Sequence, residues 1–335
     1  MSLIDRLNEN EKGWEELEEI IRNAAIAGGN SAMVYYGMPT AFALGYGAAT
    51  EADHASTLAI IRSLERPLSR LADKYDFCYS YFGEEFEKLE KEDVDESEKK
   101  RIREMLDQLG NTACKVSPKY GDFCSTYGKN HISVEFDPLD GTIPFRAEIP
   151  FFCSAIAFFI GEKPVVGAIY NPIHQVVYYA SLRGETTSAK VWYVQPCSLL
   201  DLKEERERPI GNRGKNKQIA YQITRSKEEK GKHRRKQALD ILPGIVENFG
   251  NVYMFNAGQI AMAQVARGSL DAYINTYTYT WDIAPGEVLI KAIGGKVTDI
   301  NGEEIDYEDK NPRISVVAAA SKERHNEIMN LLRRC

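Results

Sequence analysis

Four short stretches carry the residues able to do chemistry. Asp137 and Asp140 lie three residues apart in Phe136-Asp137-Pro138-Leu139-Asp140-Gly141-Thr142. Two acids so close repel unless a cation lies between them. Oxygen donors at this density suit a hard ion such as Mg²⁺. Pro138 stiffens the exit from a strand, and Gly141 permits a close backbone approach. The same residue types also build an ordinary turn. Asp282, in Trp281-Asp282-Ile283-Ala284-Pro285-Gly286, precedes a predicted helix. It would serve equally well as an N-cap worth roughly 0.5–2 kcal/mol. Glu84 follows Gly83 where a short predicted strand ends, among many surface acids. Asp53, in Thr50-Glu51-Ala52-Asp53, falls in the first turn of a helix, where a negative charge favours the dipole.

The elements that must position these residues follow from periodicity. Trp14, Leu17, Ile20, Ile21 and Ala24 recur at helical spacing and predict a helix over 12–36. Leu58, Ile61, Leu64, Leu68 and Leu71 predict a second over 52–74. A short strand at 76–82 leads into Gly83, and the charged stretch 87–103 reads as a solvated helical insertion ending near Gly110. Alternation from His131 predicts strands at 131–137, 151–160, 165–170 and 175–179, joined by turns, hence an antiparallel sheet. After about Gly184 the pattern becomes mixed. Strands near 189–194 and 218–224 alternate with helices near 233–242, 257–267 and 283–293, and a strand at 314–319 precedes a helix over 321–332. We therefore expect an N-terminal α+β domain over 1–185 with most of the carboxylates, and a C-terminal α/β domain over 186–335 supplying Asp282.

Composition bounds the function. The 335 residues are 43% hydrophobic and 27% charged, which excludes wholesale disorder, a collagen-like fibre and a disulfide miniprotein. The longest apolar stretch, 149–161, is too short for a bilayer, which needs about 20 residues, so no membrane partner is expected. No secretory signal is visible. Six cysteines form no CxxC pair and fit reduced thiols in the cytoplasm. A net charge of −7 argues against nucleic acid as a partner. One segment departs from this balance: residues 203–236 hold 13 Lys or Arg against 5 Glu. It reads either as a solvated loop or as a cationic rim for a phosphorylated substrate. Within it, Arg225 follows a predicted strand and is placed to meet a second phosphate, or to stand solvated.

Taken together, Thr-x-x-Asp, Gly-Glu-Glu, Asp-Pro-Leu-Asp-Gly-Thr and Trp-Asp-x-Ala-x-Gly, in that order, resemble the inositol monophosphatase family. That family belongs to the lithium-sensitive, magnesium-dependent phosphatase superfamily with the fructose-1,6-bisphosphatases and 3′-phosphoadenosine 5′-phosphate phosphatases. The resemblance runs from about Ala49 to Ala320 and includes Ile149-Pro150-Phe151-Phe152, the stretch from Val166 to Pro172, and Ala266-Arg267-Gly268-Ser269-Leu270-Asp271-Ala272. It implies a layered αβαβα sandwich, a homodimer, and two or three Mg²⁺ ions per site, with Mn²⁺ as a substitute. By resemblance, Glu84, Asp137 and the Leu139 carbonyl hold a first ion, and Asp137, Asp140 and Asp282 a second. Asp53 polarises the Thr142 hydroxyl, which with Glu84 orients a metal-activated water. The Gly141 and Thr142 N–H groups grip phosphate.

The substrate side departs from the pattern. Asn275 stands where inositol-hydrolysing members carry a glutamate, and Asn256-Ala257-Gly258 where they carry Gly-Ser-Ala, so Asn275 and Gly258 become candidate substrate contacts. The long span from Glu84 to Asp137 is more like the 3′-phosphoadenosine 5′-phosphate phosphatases. The implied function is hydrolysis of a small phosphorylated polyol, sugar or nucleotide. The alternatives are that nucleotide phosphatase, a fructose-1,6-bisphosphatase, or a non-enzymatic, metal-dependent phosphate-binding regulator.

Overall fold

The computed structural model describes residues 2–9, 11–38, 47–89, 94–116, 130–183, 189–193, 207–209, 217–224, 229–307 and 313–334. Ten α-helices and twelve strands are described: α1 (Leu3–Asn8), α2 (Glu11–Met33), α3 (Gly47–Tyr75), β1 (Cys78–Gly83), α4 (Glu84–Glu87), α5 (Glu96–Asp107), β2 (His131–Asp140), α6 (Thr142–Arg146), β3 (Cys153–Ile160), β4 (Lys163–Asn171), β5 (Val176–Ser181), β6 (Ala189–Tyr193), β7 (Glu207–Pro209), β8 (Gln218–Gln222), α7 (Glu229–Asn248), β9 (Asn251–Tyr253), α8 (Gly258–Arg267), β10 (Ala272–Tyr279), α9 (Ala284–Ala292), β11 (Lys296–Thr298), β12 (Arg313–Ala319) and α10 (Lys322–Leu332). A 3₁₀ turn at Gly110–Lys115 follows α5.

The strands form two sheets. The first runs β1-β2-β3-β4-β5-β6-β7; the second runs β11-β12-β10-β8-β9. From β2 to β7 every pairing is antiparallel, as the alternation predicts. β1 is the exception: it pairs parallel to β2, placing Gly83 beside Phe136. The connection between β1 and β2 is long enough for a parallel return, which a hairpin is not. β6 pairs onto β5 and β7 onto β6, so the first sheet continues past residue 185 to Pro209. The backbone groups along the free edge of β5 need a neighbouring strand, which β6 supplies. β9 and β11, three residues each, carry too little alternation to be read from sequence.

The elements stack as a layered αβαβα sandwich. α2 and α3 pack on the outer face of the first sheet, and α8 and α9 fill the space between the sheets. α7 and α10 cover the outer face of the second. Each layer is glued by its own apolar cluster. Trp14, Leu17, Ile21 and Leu64 meet Ile132, Val134 and Phe136 on one side, and Val288, Leu289 and Ile260 meet Ile169 and Val316 between the sheets. Ile241 and Ile245 meet Ile274 and Val317 on the far side. Burying such side chains contributes roughly 1.5–3 kcal/mol each. Among the described residues, no helix is long and apolar enough to cross a membrane.

Candidate metal centre

The Asp-Pro-Leu-Asp stretch continues β2 instead of leaving it. The pairing of β2 with β3 slips between Asp137 and Asp140, and this bulge turns both carboxylates to one end of the sheet. Asp137 accepts from the Leu139 N–H at 2.9 Å, and Ser56 Oγ donates to the Pro138 carbonyl at 2.8 Å, so the bulge is pinned from inside and from α3. Gly141 then reverses the chain at φ 92° and caps α6. A Cβ there would lie 2.6 Å from the Phe151 carbonyl, so only glycine fits.

Asp282 arrives from the second sheet. β10 ends at Tyr279, and the Trp281 ring stacks on Tyr279 at 4.3 Å and meets the Phe82 edge at 5.6 Å. That clasp ties the end of β10 to the end of β1. Thr278 Oγ1 donates to Asp282 Oδ2 at 2.6 Å, and the Tyr279 N–H donates to the same oxygen. The helix-cap alternative is not what forms, since α9 begins without a side-chain cap.

Asp137, Asp140 and Asp282 thus converge, with one oxygen from each within 4.8 Å of the others. Asp140 is held hardest: the Gly258 and Gln259 N–H groups at the start of α8 donate to its two oxygens at 3.2 and 2.7 Å. Burial, then the charge of Asp282, still push its carboxyl up to about 7. Burial, then Glu84 and Asp282, push Asp137 well above the usual carboxylate range. Burial also raises Asp282, against hydrogen bonds from Thr278 and Tyr279. A pair of like charges about 4 Å apart costs about 4 kcal/mol near a protein surface. Two buried acids and the half-buried Asp282, each with its carboxyl raised, form a donor set that suits a hard divalent cation.

The other expected site residues lie differently. Glu84 opens α4, but its carboxylate pairs with Lys88 at 3.6 Å and stands outside the three-acid group. Asp53 is buried, and its Oδ1 has no hydrogen-bond partner. The expected Asp53–Thr142 hydrogen bond is not formed; Thr142 Oγ1 donates to the Leu139 carbonyl at 3.1 Å, its nearest acceptor along the turn. Gly258 spends its N–H on Asp140, and a Cβ there would meet the Tyr273 hydroxyl at 2.8 Å. Asn275 is turned into its own strand: Oδ1 accepts from the Tyr277 N–H and Nδ2 donates to the Tyr273 hydroxyl, both at 3.1 Å. The bulge between Asn275 and Thr278 leaves that N–H in need of an acceptor. Arg225 lies outside the described residues.

Three groups escape a reading of sequence. Gln259 is fully buried; it donates to the Trp281 carbonyl at 2.9 Å and accepts from the Gly286 N–H at 3.0 Å. It thereby joins the start of α8 to both flanks of Asp282. Cys153 places its thiol 3.6 Å from Asp140. His54 and Lys88 lie 3.1 and 2.5 Å from the fully buried Glu85. The one sequence signal was the four-residue spacing of Glu84 and Lys88, which is common on exposed helices.

The fold and this carboxylate cluster define an αβαβα sandwich with three acids at the meeting of its two sheets that could hold a metal ion. The chain belongs to the inositol monophosphatase family, whose model matches residues 92–335. It is similar to inositol monophosphatase 1 of Saccharomyces cerevisiae, 30% identical over 182 residues that cover 52% of this chain and 58% of that protein. It is 29% identical to the fructose-1,6-bisphosphatase/inositol-1-monophosphatase of Thermococcus kodakarensis over 204 residues, covering 60% and 68%. The chain therefore spans little more than half the length of the yeast relative. Among solved structures, the inositol monophosphatase of Anabaena superposes with a TM-score of 0.63 at 19% identity, covering 96% of each chain. The extragenic suppressor protein suhB of Bartonella henselae gives 0.62 at 20%, covering 95% and 99%. These likenesses show the layered fold.

Proposed function

We propose that this protein is a divalent-metal-dependent phosphomonoesterase acting on a small phosphorylated polyol, sugar or nucleotide. The convergence of Asp137, Asp140 and Asp282 carries this reading. These three residues, with the Leu139 carbonyl and Glu84, would hold Mg²⁺ or Mn²⁺, two or three ions in all. Bound there, the metal would neutralise phosphate oxygens, lower the pKa of water and stabilise the leaving alkoxide.

The chain's own groups supply the rest. The Gly141 and Thr142 N–H groups, at a turn held open by the left-handed Gly141, face a phosphate in this reading. Asp53 takes the proton: burial, then the charge of Glu85, raise its carboxyl well above the ordinary range, and a carboxylate so raised is a stronger base. Thr142 relays that proton when its hydroxyl turns from Leu139 toward Asp53. Gly258, Asn275 and Arg225 remain substrate-side assignments, the first at the α8 start and the second beside Tyr273. The free thiols of Cys78 and Cys153 fit a cytoplasmic enzyme, and we assign it as a homodimer.

Phosphate release is measured across inositol monophosphates, 3′-phosphoadenosine 5′-phosphate, fructose 1,6-bisphosphate and histidinol phosphate, with Mg²⁺ and with or without Li⁺. Metal-dependent release, inhibited by lithium and by excess Mg²⁺, is expected. No turnover on any phosphomonoester would overturn the enzyme reading in favour of a phosphate-binding regulator. The similarity to the Thermococcus protein favours a bisphosphate as the second reading. There Arg225→Ala should raise KM about tenfold for the bisphosphate alone, as loss of a charge-assisted contact predicts.

A further inference from the structure

The three-acid group accounts for Asp137, Asp140 and Asp282 but not for the acids on the α3–α4 side. Asp53, Glu84 and Glu85 gather there, and one cation lies among them. The Lys88 ammonium is 2.5 Å from Glu85, 3.6 Å from Glu84 and 3.7 Å from Glu98. Its side chain is only 20% exposed. Glu85 is fully buried, and His54 Nε2 lies 3.1 Å from its other oxygen. Glu98 comes from α5, in the charged insertion, and is partly exposed. The Lys88 charge also opposes the upward pull of burial and of Glu85 on Asp53.

We propose that Lys88, seated on Glu85 and within ion-pair reach of Glu84, is a built-in cation of the metal centre that yields Glu84 to a divalent ion by moving toward Glu98. The inference rests on the metal-site reading above and extends it to a residue and a segment that reading leaves without a role. Glu84 cannot give its full charge to an ammonium and to a divalent ion at once. Lys88 therefore competes for the Glu84 carboxylate, and Glu98 sets how readily it leaves. The insertion, through α5, becomes a tuner of metal affinity. Lys88 is a positioning residue here, acting through Glu84.

Calorimetric Mn²⁺ titration of the metal-free full chain, with free Mn²⁺ counted by electron paramagnetic resonance, tests this without turnover. Lys88→Met should bind the weakest Mn²⁺ about tenfold more tightly or better, because a competing charge within ion-pair distance is gone. Glu98→Gln should weaken the same ion several-fold, since the ammonium loses the carboxylate that draws it away from Glu84. Lys88→Met should also melt lower in chelator and recover with Mn²⁺. Unchanged Mn²⁺ affinity and stoichiometry in a folded Lys88→Met protein would overturn the proposal. Should that variant not fold, Glu98→Gln decides alone, and tighter or unchanged binding in it overturns the proposal. Asp282→Asn separates the two readings: if it and the wild type bind Mn²⁺ alike, or neither binds, the metal-site reading itself fails. Loss of binding only in Asp282→Asn, with Lys88→Met like wild type, sinks Lys88 alone.

Discussion

Three carboxylates whose oxygens meet within 4.8 Å repel one another until something positive or a proton separates them. Asp140→Asn and Asp282→Asn should each lower phosphate release by several orders of magnitude at saturating Mg²⁺ while the fold persists. Near-normal turnover in either would remove that residue from the centre. The same substitutions should raise the melting temperature in chelator, because a buried like charge is gone. Asp140 carries a pH signature as well. Its folded pKa, about 7, lies above its ordinary 3.8, so the metal-free folded state binds this proton more tightly than the unfolded chain. Stability contributed by that protonation is present below pH 4 and lost as pH rises toward 7. Chemical denaturation in chelator at pH 5 and pH 8 should show the loss, and Asp140→Asn should reduce it.

At the scale of elements, the start of α8 organises the centre. α8 holds Asp140 with two N–H groups, and Gln259 in its first turn holds the Asp282 loop. Gln259→Leu keeps the volume but leaves the Trp281 carbonyl and the Gly286 N–H buried without this partner. Each lost partner costs about 1–3 kcal/mol, so urea denaturation should show a loss of several kcal/mol. A change under 1 kcal/mol would show that the bridge is dispensable. A second device lies far from the centre, where α10 packs against β11. His325 is 1% exposed and shares a hydrogen with Thr298 at 2.8 Å. Burial, then Lys296, lower its pKa from 6.5 to about 4. A depressed folded value means stability present above pH 6.5 and lost as pH falls through 4. Acid denaturation should be shallower between those values in His325→Gln, and an unchanged profile would exclude His325 as a source.

At the scale of the molecule, the centre is a joint. Asp137 and Asp140 come from the first sheet, Asp282 from the loop after the second sheet's β10, and α8 and α9 are packed between. A cation bound there links the two sheets and should stabilise the whole fold by mass action, by about 2.7 kcal/mol at a hundredfold excess over Kd. Mg²⁺ or Mn²⁺ should therefore raise the melting temperature, and most of that rise should vanish in Asp282→Asn. An equal rise in both proteins would place the stabilising ion elsewhere.

The acids Asp137, Asp140 and Asp282 were legible because each sits beside turn residues in a short motif. Helices α2, α8 and α9 were legible because one apolar face repeats every three or four residues. Such local patterns are set by backbone geometry and by which side chains must leave water. What the chain order does not contain is which distant groups share a buried space. Asp140 and the Gly258 N–H are 118 residues apart, and Lys88 reaches across to an insertion read only as solvated. The membership of β6 in the first sheet is likewise decided by tertiary neighbours, whereas Asn275 and Thr142 turn to backbone groups two and three residues away. The sequence by itself determined the layered class and the acids able to hold a cation. Only the folded structure decided their partners, because a hydrogen bond or an ion pair forms with whatever lies within about 3–4 Å, and that distance is set by packing rather than by position along the chain.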